Sequence, residues 1–253
     1  MPFFEYKGKN IFYQIKEKVP TKALIFIHGS GGSSYIWKEQ MEQLNLDFSL
    51  IAIDLPSHGK SGEFKKLSLD LYVDVVRNLI DYLSLREVIL TGHSLGGAII
   101  QSFYLKYPER VSALILCGTG ARLRVSPVIL NATKNNVKEY LESIPIGAFY
   151  RRTSKEIIEE YIEEAEKTAP KVVHTDFSIC DKFDIMDKVK RIRVPCLAIV
   201  GKFDKLTPVK YSIYFKDNIE NSDLVVIDKA SHLVMLEKPE EFNLAVLEFI
   251  DKI

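Results

Sequence analysis

Cysteine is scarce in this chain of 253 residues, with only Cys117, Cys180 and Cys196. Three widely spaced thiols with no C-x-x-C pair speak against a disulfide framework and against a zinc site, and they predict a reducing, cytoplasmic setting. Long hydrophobic runs are missing as well. The apolar stretch at 23–27 is closed by His28-Gly29, far short of the ~18 residues that a membrane span needs. The first ten residues carry Glu5, Lys7 and Lys9 and lack the apolar centre of a signal peptide. There is no excess of charge of either sign: 34 Lys and Arg balance 34 Asp and Glu. Without a basic surplus or stripe, no nucleic-acid partner is expected. Internal repeats and low-complexity tracts are absent too, which leaves an ordinary folded domain.

What is present is a large apolar fraction, 47% of residues. A chain of this length buries about 73% of its unfolded surface, enough for a substantial core. Residues 3–6 and 11–14 flank the turn signal Gly8-Lys9-Asn10 and predict an opening hairpin. Continuous apolar runs at 23–27, 50–53, 88–90, 113–117, 197–200 and 224–227 suit strands buried on both faces. Helical patterns lie between them at 34–44, 69–83, 95–107, 209–216 and 239–250. In 69–83, Leu69, Tyr72, Val73, Val76, Leu79, Ile80 and Leu83 share one face. Such alternation predicts an α/β fold: a mostly parallel sheet with helices on both sides. One interval departs from it. Residues 120–193 hold only helical patterns, among them a proline start at Ser126-Pro127 and a capping box in Thr153-Ser154-Lys155-Glu156 opening a helix over 154–168. The expected organisation is a core of 1–119 and 194–253, with 120–193 inserted as a helical cap over the carboxyl edge of the sheet, where open sheets bind ligands.

The chemistry begins at Gly92-His93-Ser94-Leu95-Gly96, a G-x-S-x-G between a strand and a helix. A sharp turn there presents the serine, and side chains at the flanking glycines would collide with neighbouring backbone. His28-Gly29-Ser30-Gly31-Gly32 follows another strand and is free to aim backbone N–H groups at an oxyanion. The N–H groups of Ser30 and Leu95 are the expected donors. A serine nucleophile needs a base, and the base needs a carboxylate. Of five histidines, His28 and His58 sit in glycine turns and read as structural. His93 should turn its side chain away from the serine, and His174 reads as a surface residue. His232 lies in a loop between the last strand and the last helix, where a base belongs. Asp204, in Gly201-Lys202-Phe203-Asp204, lies just beyond another strand and is the expected acid. Asp54 is the rival, but its place in Asp54-Leu55-Pro56-Ser57-His58-Gly59 suits a turn. The expected catalytic set is Ser94, Asp204 and His232, with no metal ligand or cofactor-binding residue.

With those motifs together, the chain resembles the α/β-hydrolase-fold serine hydrolases over essentially its whole length, through blocks at 28–32, 54–61, 92–97, 201–208 and 230–239. The resemblance implies eight core strands with the second antiparallel and the cap following strand six. It implies a carboxylic-ester hydrolase working through an acyl-enzyme, with a small-molecule ester as partner and no cofactor. Haloalkane dehalogenases and epoxide hydrolases on this fold carry Asp at the elbow, which Ser94 excludes. Two alternatives stay open: a C–C bond hydrolase, which His28-Gly29-Ser30-Gly31 also resembles, and a ligand receptor that keeps the triad without turnover. Phe149, Tyr150 and Phe177 are left between cap core and pocket lining. Since triad and oxyanion loops all follow core strands, removal of 120–193 is expected to change chain-length preference more than the reactivity of Ser94, provided the core folds.

Overall fold

The computed structural model describes residues 2–253. Eight strands form one sheet in the order β1-β2-β4-β3-β5-β6-β7-β8. They are β1 (Phe3–Tyr6), β2 (Lys9–Lys16), β3 (Lys22–Ile27), β4 (Ser49–Ile53), β5 (Glu87–His93), β6 (Ala113–Cys117), β7 (Cys196–Gly201) and β8 (Ser222–Ile227). Strand β2 runs antiparallel to β1 and β4, and every other pairing is parallel. The opening hairpin forms, but its turn is Lys7-Gly8, with φ of 51° and 72°. A two-residue turn with both φ positive matches the twist of its strands, so Lys9 and Asn10 pair as strand residues instead of turning.

The apolar runs are buried on both faces because each face carries helices. In β3, Ala23, Ile25 and Ile27 pack with α2 (Leu69–Tyr82) and α3 (Leu95–Lys106), while Leu24 and Phe26 face Trp37 and Phe242. Phe242 belongs to α10 (Pro239–Ile250). The remaining core helices are α1 (Lys38–Gln43), α8 (Val209–Asn218) and α9 (Val234–Glu237). The helix expected at 34–44 is divided: Ser34–Trp37 forms a tight 3-10 turn before α1. Its Ser34 N–H is held by Asp54 at 2.7 Å, which tethers that first turn to the loop after β4.

Between β6 and β7 lie four helices, α4 (Pro127–Asn135), α5 (Val137–Gly147), α6 (Lys155–Ala165) and α7 (Pro170–Lys182). The two ends of the segment meet in an antiparallel bridge between Arg122 and Asp184, reinforced by an ion pair of 2.6 Å. Helix α6 starts one residue later than the capping box implies. Ser154, not Thr153, caps it by accepting from the Ile157 N–H, because the Thr153 hydroxyl is drawn to Glu237.

Strand register decides where loops emerge. Ile27 lies beside Gly92, so the loop after β3 and the turn after β5 leave the sheet together. Gly201 lies beside Ile227, which brings the loops after β7 and β8 to the same edge.

Candidate active site

Ser94 follows β5 directly and sits at φ 53° and ψ −112°, outside the regions that suit an L-residue. Strain of this kind costs on the order of 1–3 kcal/mol and must be held by surrounding structure. Here the Ser94 N–H donates to the Cys117 carbonyl at 3.0 Å, and the Ser94 carbonyl accepts from the Thr119 hydroxyl at 2.8 Å. The flanking glycines permit the turn. A Cβ at Gly92 would run into the Gly96 carbonyl, and one at Gly96 into the Ile27 carbonyl.

Asp204 and His232 meet across the β7–β8 edge. The His232 Nδ1 lies 2.9 Å from Asp204 Oδ2, so Nδ1 carries the proton and Nε2 keeps its lone pair. Asp204 also accepts from the Thr207 hydroxyl (2.8 Å) and from the N–H groups of Leu206 and Thr207 (2.9 and 2.8 Å). Burial alone would raise this carboxyl. The His232 ring and the Thr207 donors outweigh burial and hold it below the usual carboxylate range. Asp54 stands elsewhere, accepting from the N–H groups of Ser34 and Lys60 (2.7 and 2.8 Å).

Ser94 and His232 line one cavity of about 550 Å³, together with Ser30 and His93. Tyr140, Ile144 and Phe177 line it from the inserted helices. Phe149 and Tyr150 do not; they pack on Tyr161 and Phe203, with ring centres 5.5 and 4.8 Å apart. Leu95 is the first residue of α3, where an N–H has no intrahelical acceptor. Among the described residues the Ser30 N–H finds no protein acceptor either. Both amides are therefore without a protein acceptor among these residues.

The histidines outside this pair are neither alike nor idle. His28 accepts from the Leu55 N–H at 3.0 Å. Burial first, and then the neighbouring His58, push it down to about 3. His93 lines the same cavity. Its ring lies 4.5 Å from that of His232, and its Nε2–H donates to the His232 carbonyl at 3.0 Å. Burial, followed by the nearby His232, lowers it to about 3, so it is neutral near pH 7. His174 is half-buried beside the Thr133 hydroxyl at 3.2 Å.

Sequence reasoning missed three side chains. Thr207 had a readable signal, an Asp followed three residues later by Thr at a strand's end. Asp176 and Glu237 had none. The Glu237 carboxylate accepts from the N–H groups of Tyr150 (2.6 Å) and Ser231 (2.7 Å), tying the inserted segment to the His232 loop. The N–H of His232 itself donates to the Ala148 carbonyl at 3.0 Å. The loops after β3 and β8 thus touch 120–193 directly: the N–H groups of Gly31 and His232 find their acceptors, Asp176 and Ala148, inside that segment. No group of three or more His, Cys, Asp or Glu is placed to hold a metal among the described residues.

Comparisons with known proteins bear on the family and the fold. The structure of a thermophilic esterase superposes with a TM-score of 0.89 at 37% identity, covering 99% of this chain and 97% of that one. A pimeloyl-[acyl-carrier protein] methyl ester esterase of Pseudoalteromonas atlantica is 26% identical over 88% of this chain and 92% of its own. A 2-hydroxy-6-oxononadienedioate/2-hydroxy-6-oxononatrienedioate hydrolase of Burkholderia vietnamiensis is 28% identical over 91% and 87%. With the alpha/beta hydrolase family model matching residues 24–245, the strained serine, the eight-stranded sheet and these relatives lead to one conclusion: the chain is an enzyme of the alpha/beta hydrolase family.

Proposed function

We propose that this enzyme hydrolyses dissolved carboxylic esters of short to medium acyl chains, with 120–193 as the cap that shapes the acyl pocket. The observation that carries the reading is Ser94, held at φ 53° in a cavity it shares with a histidine already bonded to a buried aspartate. Ser94 attacks the acyl carbon while Nε2 of His232 takes its proton, and the oxyanion that forms is met by the N–H groups of Ser30 and Leu95. The imidazolium then protonates the leaving alcohol, and the ester bond breaks. Water attacks the acyl-enzyme with His232 as base again, releasing the acid and restoring Ser94. Asp204 fixes the tautomer throughout and stabilises the imidazolium. Asp204, His232 and Ser94 need no metal or organic cofactor for this sequence of steps.

The test is Ser94→Ala, which abolishes p-nitrophenyl ester turnover while the far-UV spectrum and melting temperature are retained. A fluorophosphonate labels Ser94, located by peptide mass. Label on another serine would refute the assignment. Turnover of the wild type at enzyme-like rates also separates this reading from a receptor without turnover. The relative that hydrolyses a 2-hydroxy-6-oxo dienedioate gives a second reading, C–C bond cleavage, some specific support. Loss of the dienol absorbance of such a substrate, at a kcat/KM above that for any ester, would favour it.

A further inference from the structure

Asp176 is fully buried on α7, yet it belongs to no step of the chemistry above. Its Oδ1 accepts from the Tyr72 hydroxyl at 2.6 Å, and its Oδ2 from His58 Nε2 at 2.8 Å and from the Gly31 N–H at 3.0 Å. The three donors come from three parts of the core: α2, the loop after β4 and the loop after β3. The other nitrogen of His58 faces the Pro56 carbonyl at 3.0 Å. Both ring nitrogens thus face acceptors, which an imidazolium satisfies and a neutral ring does not. Asp176 thus meets three donors, and its contact with His58 joins α7 to the core.

The same face of α7 carries two more contacts to that loop. Val173 stands so close to Gly31, itself at φ 66°, that a Cβ there would lie 3.0 Å from its Cγ2. The Cys180 thiol lies 3.5 Å from the Ser30 hydroxyl. Residues 173, 176 and 180 are spaced three and four apart, so one stripe of a cap helix runs along the oxyanion loop.

We propose that Asp176 is a positioning residue for the oxyanion hole: from the cap, its carboxylate seats the Gly31 amide and so fixes the adjoining Ser30 N–H that receives the oxyanion. This rests on the ester-hydrolase reading. Its physical basis is that a donor stabilises a developing charge only when it is already aimed before the reaction, and a loop of four glycine or serine residues cannot hold that aim alone. Helix α7 also presents Phe177 and Cys180 to the cavity, so the element that contacts the acyl group is the one that holds the oxyanion donor. Cap packing and transition-state stabilisation are thereby one mechanical unit.

The experiment compares Asp176→Asn with Ile80→Ala, a core truncation remote from the site that serves as a control for lost stability. Removing an oxyanion donor outright costs about 10²–10³-fold. Unseating one should cost less, so Asp176→Asn lowers kcat by about 10- to 100-fold while KM for a p-nitrophenyl ester stays within about 2-fold. The affinity of a trifluoromethyl ketone, whose adduct with Ser94 carries an oxyanion, falls in parallel with kcat/KM. Ile80→Ala lowers the melting temperature and leaves kcat and ketone affinity unchanged. A folded Asp176→Asn with wild-type kcat and ketone affinity overturns the proposal, as does an equal kcat loss in Ile80→Ala. Where Asp176→Asn does not fold, Gly31→Ala reads the same seat from the loop side, since its Cβ must push Val173 away. The same kcat-selective loss is expected, and an unchanged kcat in that variant overturns the proposal. Wild-type turnover and Ser94 labelling are measured in the same series. If those fail, the hydrolase reading falls; if they hold and the Asp176 effect is absent, only the positioning role falls.

Discussion

Two aspartates beyond strand ends illustrate how little a residue type says without its neighbours. Asp204 collects four hydrogen bonds, one of them from the His232 ring. Asp54 collects backbone donors from Ser34 and Lys60, and a Cβ on Gly59 would strike its carboxylate. Asp204→Asn should therefore lower kcat by about 10³–10⁴-fold, because an amide favours the wrong imidazole tautomer. Asp54→Asn should leave kcat within about 3-fold and cost about 1–3 kcal/mol of stability, since an amide N–H₂ there faces a backbone donor. Steady-state kinetics and urea denaturation of both variants check the pair. Equal kinetic losses in equally stable proteins would contradict the assignment. The two acids could be ranked from their sequence surroundings, since one follows a late strand before Pro208 and the other sits in a glycine turn. Thr207 was within reach of the same reasoning. The partners of Asp176 come from positions 31, 58 and 72, and no local pattern links them.

At the scale of elements, the inserted helices are fastened to the loops after β3 and β8 by two carboxylates, the buried Asp176 and the half-buried Glu237. Glu237, at the end of α9, faces Tyr150, Thr153 and Ser231. Burial raises its carboxyl above the ordinary value even though these donors pull it down. Glu237→Gln replaces an acceptor by a donor at a junction of three donors. It should destabilise by about 1–3 kcal/mol, read as a lower urea midpoint with the slope unchanged. A midpoint within error of wild type would show that the junction carries no strain when one oxygen is lost. The same junctions explain why the helices at 120–193 were expected from pattern while their role as anchors was not. Periodicity reports which face of a helix is apolar, and α7 delivers its message through a single polar residue on that face.

For the whole molecule, pH and interfaces supply the tests. His58 is buried, which by itself lowers its pKa, but the Asp176 charge and hydrogen bond and the Pro56 carbonyl together raise it. Asp176 faces it from α7, Tyr72 from α2 and the neutral His28 from the loop after β3, with Asp54 on its own loop. A raised folded value means that the stabilisation is complete below the unfolded value near 6.5 and is lost as pH rises through the folded one. The melting temperature should fall over that alkaline window, and His58→Gln should remove the slope. A parallel slope in both proteins would assign it to other groups. The surface of α6 bears on substrate form. It presents Glu156, Glu159 and Glu163 to solvent, with Glu166 at its C-cap, Glu159 paired to Lys155 and Glu160 to Lys38. An acidic face of this kind does not favour an anionic interface. Rate against tributyrin concentration should therefore saturate smoothly through the solubility limit, and a jump as droplets form would indicate interfacial activation.

The sequence alone determined the sheet. Runs of apolar residues too short for helices had to be strands buried on both faces, and amphipathic stripes between them had to cover those faces. The elbow at Ser94, the loop at His28 and the placements of Asp204 and His232 followed from glycine and strand-end positions, because those constraints act within a few residues. Tertiary structure decided what spans the chain. The register of β3 with β5 and of β7 with β8 brings four loops to one edge. The folding back of α7 carries Asp176 to Gly31 across 145 positions. The approach of the loop after β8 sets the His232 ring against His93 across 139 positions. Buried polar contacts between distant segments depend on three-dimensional approach and desolvation, and neither quantity leaves a period or a spacing in a linear sequence.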